Sequence, residues 1–177
     1  RKNDLKDLSQ YAIELTNLNH VSPTHKWVTE AGQWEHAVQS YLASVAFADH
    51  CLGMVLDALE KSKYADNTVI ALFSDHGFHL GEKERWAKRS LWEDGTRVPI
   101  ILSAPEFKSN QISDRPAELL DIFPTLLELA GLPADSAQEG QSLVPLMKNP
   151  KEAWAHPALT SFGLGNYSVR STRYRFI

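Results

Sequence analysis

Thr68-Val69-Ile70-Ala71-Leu72-Phe73 is an unbroken β-favouring run that stops abruptly at Ser74-Asp75-His76-Gly77. A strand apolar on both faces needs cover on both, so the run predicts an α/β domain with a parallel or mixed sheet between helices. Val98-Pro99-Ile100-Ile101-Leu102-Ser103 repeats the signature. Pro99 brings no amide to a ladder and belongs at the strand's first turn or on an unpaired side. Upstream, Val38, Tyr41, Leu42, Val45, Leu52, Val55, Leu56 and Leu59 recur at three- and four-residue steps, which predicts a helix from Trp34 to about Lys61. Glu35, Gln39, Asp57, Glu60 and Lys61 fill its other face, the pattern of a surface helix covering a core. Cys51, the single cysteine, falls within it and reads as a small packing residue; alone it makes neither an internal disulfide nor a cysteine-rich zinc site.

Residues 1–33 lack clear periodicity and read as an irregular arm with at most one short helix, with turn chemistry at Asn17-Leu18-Asn19-His20-Val21-Ser22-Pro23. Leu119 to Leu132 is predicted helical in two pieces, with Pro124 in the first turn of the second and Gly131 and Pro133 ending it. Ala134 to Gly140 reads as a surface loop, and Leu143-Val144-Pro145-Leu146-Met147 is too short and proline-interrupted to assign. Ala158–Phe162 and Tyr167–Arg170, joined through Gly163 and Gly165-Asn166, predict a β-hairpin, and Arg173–Ile177 begins another strand. A chain that stops on an apolar strand residue suggests truncation.

A net charge of -4 argues against nucleic-acid and polybasic membrane binding. The longest uninterrupted apolar runs fall far short of the roughly 20 residues that span a bilayer, so no membrane partner is expected. No apolar stretch follows the charged start Arg1-Lys2-Asn3-Asp4, so no signal peptide is visible.

Polar function concentrates between Asp75 and Arg97, directly after a buried strand, and open α/β sheets bind ligands beyond the carboxyl ends of their strands. There Asp75 offers a hard oxygen to a cation and His76 a ring nitrogen, while Gly77 lets the backbone turn; hydrogen-bonded turn residues are the plain alternative. Lys83, Arg85, Lys88 and Arg89 bring positive charge to the same loop, either for an anionic substrate or as solvated surface. His76 and His79 have H-x-x-H spacing, but without an evident third ligand this is a weak zinc signal. His20, His25, His36, His50 and His156 are scattered and read as structural. No G-x-G-x-x-G, G-x-x-x-x-G-K-S/T or G-x-S-x-G occurs, which removes support for nucleotide folds and serine hydrolases.

Phe73-Ser74-Asp75-His76-Gly77, Leu80-Gly81-Glu82, Trp86-Ala87-Lys88 and Arg97-Val98-Pro99, in that order, resemble the metal and substrate-lysine region of the type I sulfatases, in the alkaline-phosphatase-like superfamily. Asp121-Ile122-Phe123-Pro124-Thr125-Leu126 and Leu129-Ala130-Gly131-Leu132 extend the similarity, which covers most of the chain after Trp34. Within the family the motifs look most like iduronate-2-sulfatase-like enzymes, with choline-sulfatase-like enzymes similar. The resemblance implies a partial alkaline-phosphatase/sulfatase-like sandwich: a mixed sheet with flanking helices and a C-terminal β-hairpin. It divides the chain into the arm (1–33), the C-terminal part of the catalytic domain (34–157) and the truncated start of an antiparallel subdomain (158–177).

It also implies that Asp75 and His76 are two ligands of a divalent cation, usually calcium in this family, and that Lys88 contacts the sulfate oxygens of a substrate, expected to be a sulfated carbohydrate. Lys83, Arg85 and Arg89 would then face solvent or touch the rest of an anionic substrate. A periplasmic, secreted or lysosomal setting is implied too. The family's nucleophile is a formylglycine made within C-x-P-S-R or C-x-A-x-R, and this sequence has neither; Cys51 is followed by Leu-Gly-Met. No D-D-x-x-x-N metal-ligand segment is present either. The chain therefore resembles the C-terminal portion of a sulfatase, expected to be inactive alone and to depend on the missing N-terminal part of its domain. A phosphatase or phosphonate hydrolase of the same superfamily, or a non-catalytic binding module, are the alternatives.

Overall fold

A computed structural model describes residues 4–16, 22–108 and 110–177. Residues 17–21, and with them most of the predicted Asn17–Pro23 turn and His20, lie outside the described residues. The chain forms two compact units, one from residues 1–65 and 76–97, the other from 66–75 and 98–177.

The first unit carries three helices: α1 (Gln10–Thr16), α2 (His25–Glu30) and α3 (Trp34–Glu60). The arm thus holds two short helices where at most one was expected. Both starts are capped: the Ser9 hydroxyl accepts from Ala12 N at 3.2 Å and the Thr24 hydroxyl from Trp27 N at 3.1 Å. Such caps satisfy amides that an isolated short helix would leave open. The long helix stands where the apolar repeat put it, but no residue along it is buried. Leu42, Val45, Val55 and Leu56 are all exposed, and so is Cys51, contrary to its reading as a packing residue. By length and composition alone α3 could cross a membrane, although Asp49 and Asp57 interrupt it. After residue 75 come a two-residue hairpin, β2 (His79–Leu80) with β3 (Trp86–Ala87), and the single turn α4 (Glu93–Thr96).

In the second unit β1 (Ile70–Phe73) pairs antiparallel with β4 (Ile100–Ser103), Phe73 opposite Ile100. Pro99 falls just outside the ladder, as its missing amide requires. A mixed sheet was expected, yet every strand pair among the described residues is antiparallel. The physical reason is the connection: residues 74–99 carry no long helix to return the chain for a parallel crossover.

A 3₁₀ turn at Leu119–Asp121 leads into α5 (Ile122–Leu129), with Pro124 in its first turn. The buried Asp121 carboxylate accepts from the amides of Glu118 and Gln141, both at 2.8 Å. Fully buried Thr125 donates to the Asp121 carbonyl at 2.5 Å and accepts from Leu143 N at 2.8 Å. This lock brings in α6 (Val144–Lys148), the segment unassigned from sequence, whose Val144 and Leu146 are buried. The predicted hairpin is present as β5 (Ala158–Ser161) and β6 (Tyr167–Arg170), extended by β7 (Arg175–Phe176).

Candidate active-site loop

Gly77 begins the loop by packing backbone on backbone. Its amide donates to Gly95 carbonyl at 3.0 Å, and a Cβ there would lie 2.1 Å from the Asp94 carbonyl oxygen. Only glycine permits that approach. His76 Nδ1–H donates to Gly77 carbonyl at 2.8 Å, which leaves Nε2 to accept from the Lys88 ammonium at 2.6 Å. Two of the three residues singled out from sequence are therefore in direct contact, although twelve positions apart. The third, Asp75, follows β1 and is exposed.

Lys88 is presented on strained backbone: its neighbours Ala87 and Arg89 have φ of 63° and 64°. Left-handed non-glycine residues cost about 1–2 kcal/mol each. The buried Arg85 holds this turn. Its guanidinium donates to the Thr16 carbonyl at 2.6 Å and reaches the carbonyls of Lys88 and Arg89, each at 3.4 Å. Burial pulls its pKa below the ordinary guanidinium value, yet a guanidinium stays charged in proteins.

The arm supplies the other anchors. Trp92 Nε1 donates to the Thr16 hydroxyl at 3.0 Å, and buried Trp86 donates from Nε1 to His25 Nδ1 at 3.2 Å. Lys83 is not solvent-facing: its amide donates to the Asp4 carboxylate at 2.9 Å and its ammonium to the Asp4 carbonyl at 2.7 Å. That amide, more than the ammonium charge, holds the Asp4 carboxyl below its usual range. Lys83 also lies over the Trp92 ring. The expectation that Lys83 and Arg85 face solvent or substrate is thus corrected: both are used up holding the loop to the arm.

His79 is fully buried on β2, apart from any helix, so it shares no helical face with His76. Its Nε2 lies 2.6 Å from the Ser90 hydroxyl. Burial keeps its pKa below the ordinary imidazole value, against the pull of the Asp94 charge and of the Glu82 carbonyl and carboxylate. Sequence reading missed this residue's environment, and missed Thr16 and Asp4 entirely.

By fold, the chain falls among proteins of alkaline-phosphatase-like architecture. A structure solved in complex with its substrate D-glucosamine-2-N,6-O-disulfate superposes at a TM-score of 0.72 and 30% identity, over 79% of this chain and 31% of that one. A sulfatase family model matches residues 5–132. A sulfatase of Formosa agariphila is 41% identical over 100% of this chain and 35% of its own length. Mouse iduronate 2-sulfatase is 30% identical over 78% of this chain and 37% of its own length. The chain belongs to the sulfatase family, and it spans about a third of the length of these curated relatives. The whole of α3 lies inside the region that the family model matches.

Proposed function

We propose that the chain is the C-terminal part of a sulfuric ester hydrolase acting on sulfated sugars, iduronate-2-sulfatase-like in its motifs. Asp75 and His76 supply part of a calcium site, and Lys88 binds the sulfate. Residues 34–157 belong to the catalytic domain, 158–177 begin its antiparallel subdomain, and the exposed apolar face of α3 packs against the N-terminal part of the same domain. The observation that carries this reading is the Lys88–His76 contact at 2.6 Å, on a turn strained on both sides of the lysine.

The residues fit a cation. The Nδ1–H bond to Gly77 orients the ring so that Nε2 meets positive charge, here the Lys88 ammonium, and Asp75 adds a hard oxygen. Calcium takes about 6 to 8 ligands, so these two residues contribute only part of the shell. When bound, the cation neutralises charge on the peripheral oxygens of a sulfate ester. Lys88 does the same with an ammonium on a flexible stem, so the loop can stay packed through Trp86 while the charge reaches the ester. Nothing in this chain attacks sulfur: Cys51 lacks the C-x-P-S-R setting.

In the full-length enzyme, Lys88→Ala lowers kcat/KM roughly 10²-fold or more without unfolding, because it removes a contact to the reacting group. Lys83→Ala has a much smaller effect. Near wild-type kcat/KM for Lys88→Ala would refute the assignment. The isolated chain turns over no chromogenic aryl sulfate, and activity in the purified chain would overturn the placement of the nucleophile elsewhere.

A further inference from the structure

We propose that His79, Glu82 and Asp94 form a second divalent-cation site, of the zinc class, which staples the base of the loop carrying Lys88. One nitrogen and two carboxylate oxygens from these residues lie within 4.8 Å of one another. Ligands about 2.1 Å from a zinc ion span up to about 4.2 Å, so a small rotation of the two exposed carboxylates closes the set.

The histidine is built as a ligand. Its side chain is fully buried, and Nδ1 is enclosed without a hydrogen-bond partner. In the tautomer whose Nε2–H donates to the Ser90 hydroxyl at 2.6 Å, the lone pair is on Nδ1. That is the usual outer-shell arrangement of a metal-bound imidazole, in which the second ring nitrogen is fixed by a hydrogen bond. Gly95 permits it, since a Cβ there would lie 2.3 Å from the Ser90 hydroxyl oxygen. Glu82 is also pre-positioned: one carboxylate oxygen accepts from Leu80 N at 2.7 Å, which leaves the other for a cation.

The surroundings favour positive charge. Glu82 and Asp94 line a pocket of about 340 Å³ with Asp4, Trp34, Gly81 and Lys83. Its one ammonium, on Lys83, is already engaged by Asp4 at 3.5 Å and Asp7 at 3.8 Å. The remaining carboxylates repel a sulfated ligand and attract a metal ion. An imidazole with two carboxylates is a borderline donor set suited to zinc. It shares no residue with Asp75 and His76. Because 79, 82 and 94 bracket Lys88, occupancy would restrain the turn from both sides.

The test is calorimetry and metal analysis on the full-length protein, stripped with chelator, reloaded with calcium and titrated with zinc chloride. Wild type, Asp94→Asn, Glu82→Gln and Asp75→Asn are compared, with circular dichroism as the folding control. Glutamine keeps an acceptor for Leu80 N, and Asp94 is exposed, so the fold is retained; if Glu82→Gln does not fold, Asp94→Asn decides alone. The expected result is one zinc per chain at micromolar affinity or tighter. Asp94→Asn and Glu82→Gln each weaken it at least tenfold, and Asp75→Asn leaves it unchanged. X-ray absorption should show one imidazole among nitrogen and oxygen ligands. No binding at millimolar zinc, binding that neither Asp94→Asn nor Glu82→Gln weakens, or binding lost through Asp75→Asn would overturn the proposal.

Discussion

Replacing Arg85 with lysine keeps the charge and removes the fork. The guanidinium serves three carbonyls at once, Thr16 at 2.6 Å and Lys88 and Arg89 at 3.4 Å, whereas the shorter lysine side chain ends in one tetrahedral ammonium that stops short of the Thr16 carbonyl and cannot span all three. A hydrogen bond from a charged group contributes about 1.5–3 kcal/mol. The two long contacts are weaker, so the net loss is about 2 kcal/mol, mostly through the Thr16 carbonyl. At about 1.4 kcal/mol per tenfold, the loop should open about 30-fold more often. Amide hydrogen exchange reads this directly: protection should fall across Trp86–Ser90, while α5 and α6 keep theirs. In the full-length enzyme the same change should lower kcat/KM, since a misplacement of about 1 Å can cost about 10²-fold. Unchanged protection at Trp86–Ser90 in a folded Arg85→Lys chain would show that the turn holds its strained backbone without the clamp.

Asp121→Ala should destabilise the second unit by about 2–6 kcal/mol, because the Glu118 and Gln141 amides lose their acceptor at about 1–3 kcal/mol each; an unchanged urea midpoint would contradict the lock. His79 gives a pH dependence. Its folded-state pKa lies below the unfolded value of about 6.5. As pH falls through that value the unfolded chain takes up the proton first. The contribution is therefore fully present above about pH 6.5 and is lost as pH drops below it. With chelator present, the fall in urea midpoint between about pH 7.5 and about pH 5.5 should be smaller in His79→Asn than in wild type; equal falls would show that the ring does not titrate as placed.

The long helix and the polar loop were legible because each announces itself locally, one by its repeat and the other by the abrupt end of an apolar strand. Family membership was legible for the same reason, through short motifs in a fixed order. The environment of the loop was not. Lys83 and Arg85 look like ordinary surface cations in the sequence, and what distinguishes them are partners far along the chain. Asp4 lies 79 positions from Lys83, and Thr16 lies 69 from Arg85. The antiparallel pairing of β1 and β4 was hidden because an apolar run reports burial and not strand direction. The exposure of α3 and Cys51 could not be read either, since an amphipathic repeat shows that a face needs cover but not which residues cover it.

The pairing of β1 with β4 also sets an order of events in folding. Phe73 meets Ile100 only after the chain has travelled through residues 74–99 and come back. The length-dependent part of closing such a loop costs about 3 kcal/mol. A two-stranded ladder returns little against that at first, so the contact is a slow, non-local one. The β2–β3 hairpin and the Gly77–Gly95 bond lie inside the excursion and shorten its effective length when they form first. Substitutions that loosen the loop should then slow the arrival of the β1–β4 pair, so the same residues that present Lys88 also govern how fast the strand ahead of Asp75 finds its neighbour.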